Sequence, residues 1–198
     1  MTNLSILFAG VGGEGVVTTG AVLGDTLTRK GIKVVMSEVH GMAQRGGIVT
    51  VEMKVGACNS PIIGIGKADI IVGFEPIETY RVLNKGNKDT KIIMNSSRIV
   101  PFTVSVGESE YPDFDKIVEN IKKYFNSLYI IDAESLAIKA GNSIVENIVL
   151  LGALTALNII PVNKEDVMES IKTAFSNKRY ESMNITAFEL GYNFIKTH

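Results

Sequence analysis

The segment Gly10-Val11-Gly12-Gly13-Glu14-Gly15 follows an apolar run at residues 4–9 and precedes apolar residues at helical spacing, among them Val17, Ala21 and Leu27. A glycine turn between a strand and a helix brings backbone N–H groups and the positive end of the helix dipole to one point, which favours an anion. The spacing G-x-G-x-x-G is also that of a dinucleotide loop, and Glu38, at the end of the next strand, stands about where a ribose-binding acid is expected. A nicotinamide or flavin site is therefore one reading. Another is that the glycines serve only a tight turn and close helix packing, with Gly20 and Gly24 letting the helix approach its neighbour.

Residues 37–47 place His40, Gln44 and Arg45 between glycines at the C-terminal end of a strand, where open α/β sheets bind ligands. Arg45 beside Gly46 and Gly47 could grip a phosphate or carboxylate with two hydrogen bonds, or form an ordinary ion pair. His40 could move a proton, although a lone histidine fits a structural hydrogen bond better.

The elements that must hold these segments alternate. Strands are expected at residues 4–9, 33–36, 48–53, 69–74, 91–94, 100–106 and 128–131. Helices are expected at 16–27, 75–83 and around 117–125, and then at 132–140, 143–159, 165–175 and 182–195. The pattern specifies an α/β fold with a Rossmann-like, mainly parallel sheet flanked by helices and a helix-rich C-terminal third. No repeat, low-complexity tract or linker interrupts it, so residues 1–198 are expected to form one domain.

Composition narrows the chemistry. Twenty basic against twenty-one acidic side chains leave a net charge of -1, too balanced for the positive face that nucleic acid requires. The start carries no basic leader, and the most apolar stretch, residues 148–160, is too short to span a bilayer, so a cytoplasmic protein with no membrane partner is expected. Cys58 is the single cysteine, whereas an iron–sulfur cluster normally takes four thiolates. Two histidines, His40 and His198, do not make a multi-histidine metal site.

Residues 10–17, G-V-G-G-E-G-V-V, and 37–47, S-E-V-H-G-M-A-Q-R-G-G, resemble the small-subunit family of indolepyruvate:ferredoxin oxidoreductases, within the wider gamma-subunit family of 2-oxoacid:ferredoxin oxidoreductases. The stretches from Gly73 to Arg81 and from Gly141 to Gly152 extend the resemblance over most of the chain. It implies a hetero-oligomer, two-plus-two in the family's pattern, whose large alpha subunit holds thiamine diphosphate, magnesium and four-iron, four-sulfur clusters. That assembly converts an arylpyruvate and coenzyme A to an aryl-acetyl-CoA and carbon dioxide while reducing ferredoxin. The small chain, inactive alone, is implied to complete the cleft and hold the phosphate-rich end of coenzyme A with Gly10, Gly12, Gly13, Glu14, Gly15, Arg45 and Asn147. The family usually has glutamine where Glu14 stands, and a carboxylate there repels phosphate unless it is protonated or paired. The gamma subunit of a pyruvate or 2-oxoglutarate enzyme is the alternative within the family, and a stand-alone NAD-binding protein is the alternative outside it.

Overall fold

A computed structural model describes residues 3–41, 47–100, 104, 107 and 110–197, with the side chains of residues 178 and 179 left out. Among these residues six strands form one sheet in the order β2-β3-β1-β4-β5-β6. They are β1 (Leu4–Val11), β2 (Val34–His40), β3 (Ile48–Val55), β4 (Ala68–Gly73), β5 (Gly86–Asn95) and β6 (Ser127–Ile131). The helices are α1 (Val16–Arg29), α2 (Pro76–Arg81), α3 (Phe114–Tyr124), α4 (Ala133–Ala140), α5 (Glu146–Ala156), α6 (Lys164–Ala174) and α7 (Lys178–Thr197).

Strand β1 explains the layering. Its side chains alternate between faces, Ile6 and Phe8 entering one apolar cluster and Leu7 and Ala9 the other, and all four are buried. The first cluster is covered by α1, α5, α6 and α7. The second is covered by Ile77 of α2 and by Ile117 and Ile121 of α3.

The sheet is mixed, with five strands running one way and β3 alone reversed. β1 pairs in parallel with β4, β4 with β5 and β5 with β6, whereas β3 lies antiparallel to both β1 and β2. Thus β1-α1-β2 is a parallel unit whose two strands are not neighbours. β2 also runs to His40, four residues beyond the strand expected at 33–36, because Ser37 to His40 pair with Val49 to Glu52 of β3. This long-range ladder leaves no local trace in a polar, glycine-flanked segment.

Other boundaries moved for local reasons. The helix expected at 143–159 splits into a 3₁₀ turn (Ser143–Val145), capped by the Asn142 side chain at 2.9 Å from the Ile144 N–H, and α5. The helix expected at 75–83 is α2, followed by a separate 3₁₀ turn at Leu83–Lys85. The strand expected at 100–106 falls mostly outside the described residues.

Helix α5 is buried on every side from Asn147 to Ala156, as a core helix should be. It crosses α7 with backbone against backbone. A Cβ on Gly152 would lie 2.0 Å from the Phe188 carbonyl oxygen, and one on Gly191 1.9 Å from that of Val149. Gly20 similarly seats α1 on the sheet, since a Cβ there would meet Met36 and Val51 at 3.1 Å. Gly24, with only Met53 at 3.8 Å, is in ordinary contact.

Candidate functional site

Connections from β1 and β4 leave in opposite directions across the sheet, so a crevice opens between their C-terminal ends, the usual ligand position in such folds. The glycine turn after β1 forms one wall, and Phe74 and Glu75 after β4 form the other.

The turn's glycines divide by role. Gly10 is buried, and a Cβ there would lie 2.6 Å from a Glu14 carboxylate oxygen and 2.7 Å from the Phe74 Cβ, so it serves packing. Gly12 and Gly13 face outward, the Gly12 N–H donating to the Gly47 carbonyl at 2.9 Å. Gly13 (φ 107°) and Gly15 (φ 74°) hold conformations that side chains resist. Beyond φ they differ: a Cβ on Gly13 meets nothing, whereas one on Gly15 would lie 2.6 Å from Asn147 Nδ2. Gly13→Ala should therefore cost about 1 kcal/mol of backbone strain. Gly15→Ala should cost about 2–4 kcal/mol, because Asn147 must also be displaced. Urea unfolding of the two variants checks this, and equal midpoints would refute the Gly15–Asn147 contact.

Glu14 turns inward, and its carboxylate accepts the Val11 N–H at 2.5 Å. Burial pushes its pKa up to about 8, and Glu146, Glu75 and Glu78 push the same way against the Val11 hydrogen bond. At pH 7 the side chain is mostly a neutral acid. The repulsion of an anion expected from a carboxylate here is thereby largely removed.

Around Glu14 stands a group of acids from other elements. Glu75, buried, caps α2 by accepting the Glu78 N–H at 3.0 Å and also accepts the Tyr111 hydroxyl. Glu78 is raised by burial and lies 3.4 Å from Arg81. Glu146 is likewise raised by burial and takes a hydrogen bond from the Asn95 amide. Burial and the Glu75 contact raise the Tyr111 hydroxyl as well. Sequence reasoning did not single out Glu75, Glu78, Asn95, Tyr111 or Glu146, which come from four separate stretches of the chain and meet through the fold.

Asn147 is in place. It is 6% exposed and passes its backbone carbonyl to Thr19 at 3.4 Å, while its side-chain amide pairs with no described residue. That amide lines a cleft of 250 Å³ together with Gly13, Gly15 and Thr18. Helix α1 begins at this cleft with Gly15 as its cap, no side-chain hydrogen bond at its N-terminus and no acid in its first turn. Its first N–H groups are open to an acceptor. Arg45 and Gln44 lie outside the described residues.

Glu38 is not at the crevice. The inserted β3 puts its strand two ladder steps from β1, roughly 10 Å away, and its carboxylate pairs with His40 at 3.2 Å. The geometry of a dinucleotide site, with an acid on the strand beside the glycine turn, is therefore missing. His40 has the structural contact expected of it. The half-buried Cys58 thiol points to the Lys54 carbonyl at 3.4 Å. Among the described residues no group of three His, Cys, Asp or Glu side chains could hold a metal ion.

The sequence matches the family described as pyruvate ferredoxin/flavodoxin oxidoreductase over residues 5–194. The chain belongs to this family. Among its oxidoreductase relatives it is 38% identical to indolepyruvate oxidoreductase subunit IorB of Pyrococcus horikoshii over 99% of the chain and 98% of the relative. To IorB of Methanothermobacter thermautotrophicus it is 36% identical over 96% of each. The 2-oxoglutarate synthase subunit KorC of the latter organism stands lower, at 27% over 96% of the chain and 94% of the relative. The fold is that of the gamma subunit of a keto/oxoacid ferredoxin oxidoreductase from Geobacter sulfurreducens (TM-score 0.72, 20% identity, 98% and 99% coverage). It also matches part of a 2-oxoglutarate:ferredoxin oxidoreductase from Magnetococcus marinus with 2-oxoglutarate, coenzyme A and succinyl-CoA bound (TM-score 0.75, 18% identity). That match covers all of this chain and 32% of the Magnetococcus chain.

Proposed function

We propose that this chain is the small subunit of an indolepyruvate-type 2-oxoacid:ferredoxin oxidoreductase. The observation that carries the reading is its near-full-length identity of 36–38% to IorB subunits, against 27–28% to KorC and common gamma subunits. In the assembly the large alpha subunit supplies thiamine diphosphate, magnesium and the four-iron, four-sulfur clusters. An arylpyruvate loses carbon dioxide, its two electrons pass to ferredoxin, and the acyl group leaves as a thioester of coenzyme A. With one cysteine, the small chain has too few thiolates for an ordinary cluster of its own.

Its own residues fit a role toward coenzyme A. Open N–H groups at the start of α1, the neutral Glu14 and the Asn147 amide lining the cleft beside it make the glycine turn suited to the phosphate-rich end of that molecule. Arg45 completes the candidate set on sequence grounds. The complex is proposed to be cytoplasmic and two-plus-two, with ferredoxin docking through the assembled pair.

Coexpression with the large subunit tests the reading. The tagged chain should bring down a brown, cysteine-rich partner, and the pair should reduce ferredoxin with indolepyruvate and coenzyme A while the chain alone does nothing. Turnover by the isolated chain, or tight nicotinamide binding to it, would overturn the proposal.

A further inference from the structure

On the face of the sheet away from α1, a cavity of 830 Å³ opens between α2 and α3. Its floor is apolar: Ile77 of α2 and Ile117 of α3 are buried, and the rings of Tyr80, Tyr111 and Phe114 line the same space. Concave, mainly apolar sites with a few polar groups are where small molecules bind.

Arg98 is held in the cavity wall by packing rather than by pairing. Its guanidinium lies 5.1 Å from the centre of the Phe114 ring and 5.6 Å from that of Tyr111. The Tyr111 hydroxyl is in turn anchored on the buried Glu75. Two rings thus fix a guanidinium that has no hydrogen-bond or ion-pair partner among the described residues, and its planar N–H fork matches a carboxylate.

Lys116 and three acids, Glu110, Asp113 and Asp115, line the same cavity. Asp113 caps α3 by accepting the Asp115 N–H at 2.9 Å, whereas the Glu110 and Asp115 side chains are exposed to the opening. Among the described residues none of these acids forms an ion pair with Arg98 or Lys116. The acids oppose a simple anion, and Arg98 and Lys116 oppose a simple cation. A ligand that carries both charges close together meets an opposite charge at each end, and the apolar floor accepts a ring.

We infer that this cavity binds an aromatic α-amino acid, with its carboxylate on Arg98, its ammonium on Glu110 and Asp115, and its ring over Ile77 and Tyr80. The inference goes beyond the subunit assignment and uses no residue of the glycine turn. The same acids discriminate against an arylpyruvate, which has an oxo group where the amino acid has its ammonium.

The chain contains no tryptophan, so the fluorescence anisotropy of added L-tryptophan reports binding to the full chain directly. Anisotropy should rise to a plateau as the chain is added. Indole-3-acetate lacks the ammonium and tryptamine lacks the carboxylate. Each should compete about 10–100-fold less well than unlabelled tryptophan of the same chain length, the loss that one hydrogen bond to a charged group represents. Arg98→Met, at an exposed position that does not threaten folding, should weaken tryptophan by about tenfold or more. Glu110→Gln combined with Asp115→Asn should weaken tryptophan to a similar degree while leaving indole-3-acetate no weaker. An anisotropy that does not saturate, unchanged affinity in Arg98→Met, or indole-3-acetate binding as tightly as tryptophan overturns the inference. None of these results touches the subunit assignment, which fails separately if the reconstituted pair has no turnover.

Discussion

Replacing Glu14 with glutamine should stabilise the chain at pH 8 and leave it nearly unchanged at pH 5. The side chain ordinarily titrates at 4.5, and in the folded chain burial beside Glu146, Glu75 and Glu78 moves it to about 8. Between those values the folded state holds a proton that the unfolded state has released, so stability falls as pH rises. The penalty is absent below pH 4.5, grows through neutrality by at most about 1.4 kcal/mol per pH unit, and is complete above pH 8. Partial solvent access and relaxation reduce the total to about 2–4 kcal/mol. Glutamine can still accept the Val11 N–H and has no proton to lose. Glu78 and Glu146 are raised in the same direction, but they remain in both proteins and largely cancel from the difference. Denaturant titrations at unit steps from pH 5 to 8 should give two lines that diverge upward in pH. Parallel lines would mean that Glu14 is ionised in the folded chain.

Gly152→Ala should have a comparable effect for a reason unconnected with charge. The added methyl would sit 2.0 Å from the Phe188 carbonyl oxygen and 2.9 Å from the Tyr192 nitrogen, both backbone atoms of α7. Side chains can rotate away from an intruder, but a helix backbone moves only as a body, so α5 and α7 must separate. The expected cost is about 3 kcal/mol or more, at the upper end for overpacking. Gly191→Ala meets Val149 across the same crossing at 1.9 Å and should cost a similar amount. Once one alanine has spread the helices the second has less to displace, so the double variant should lose less than the sum. Urea midpoints of the three proteins measure this, and strict additivity would argue that the two glycines do not share one contact.

The sequence determined the alternation of elements, because apolar period and glycine punctuation are local properties. Leu4–Val11 reads as a strand buried on both faces, and Val16–Arg29 as an amphipathic helix beginning after a glycine turn, from neighbouring residues alone. The same reasoning put Gly12, Gly13 and Gly15 at a strand-to-helix turn, and the two motif segments indicated the family. Tertiary structure decided what depends on distant partners. Strand β3 enters antiparallel between β2 and β1, which extends β2 to His40 and carries Glu38 away from the glycine turn. Local pattern cannot specify that insertion, because strand order depends on which ladders close across loops. Nor could it show that Glu14 is mostly neutral. That state arises from burial and from acids 61, 64 and 132 positions further along the chain, which the sheet gathers at one end.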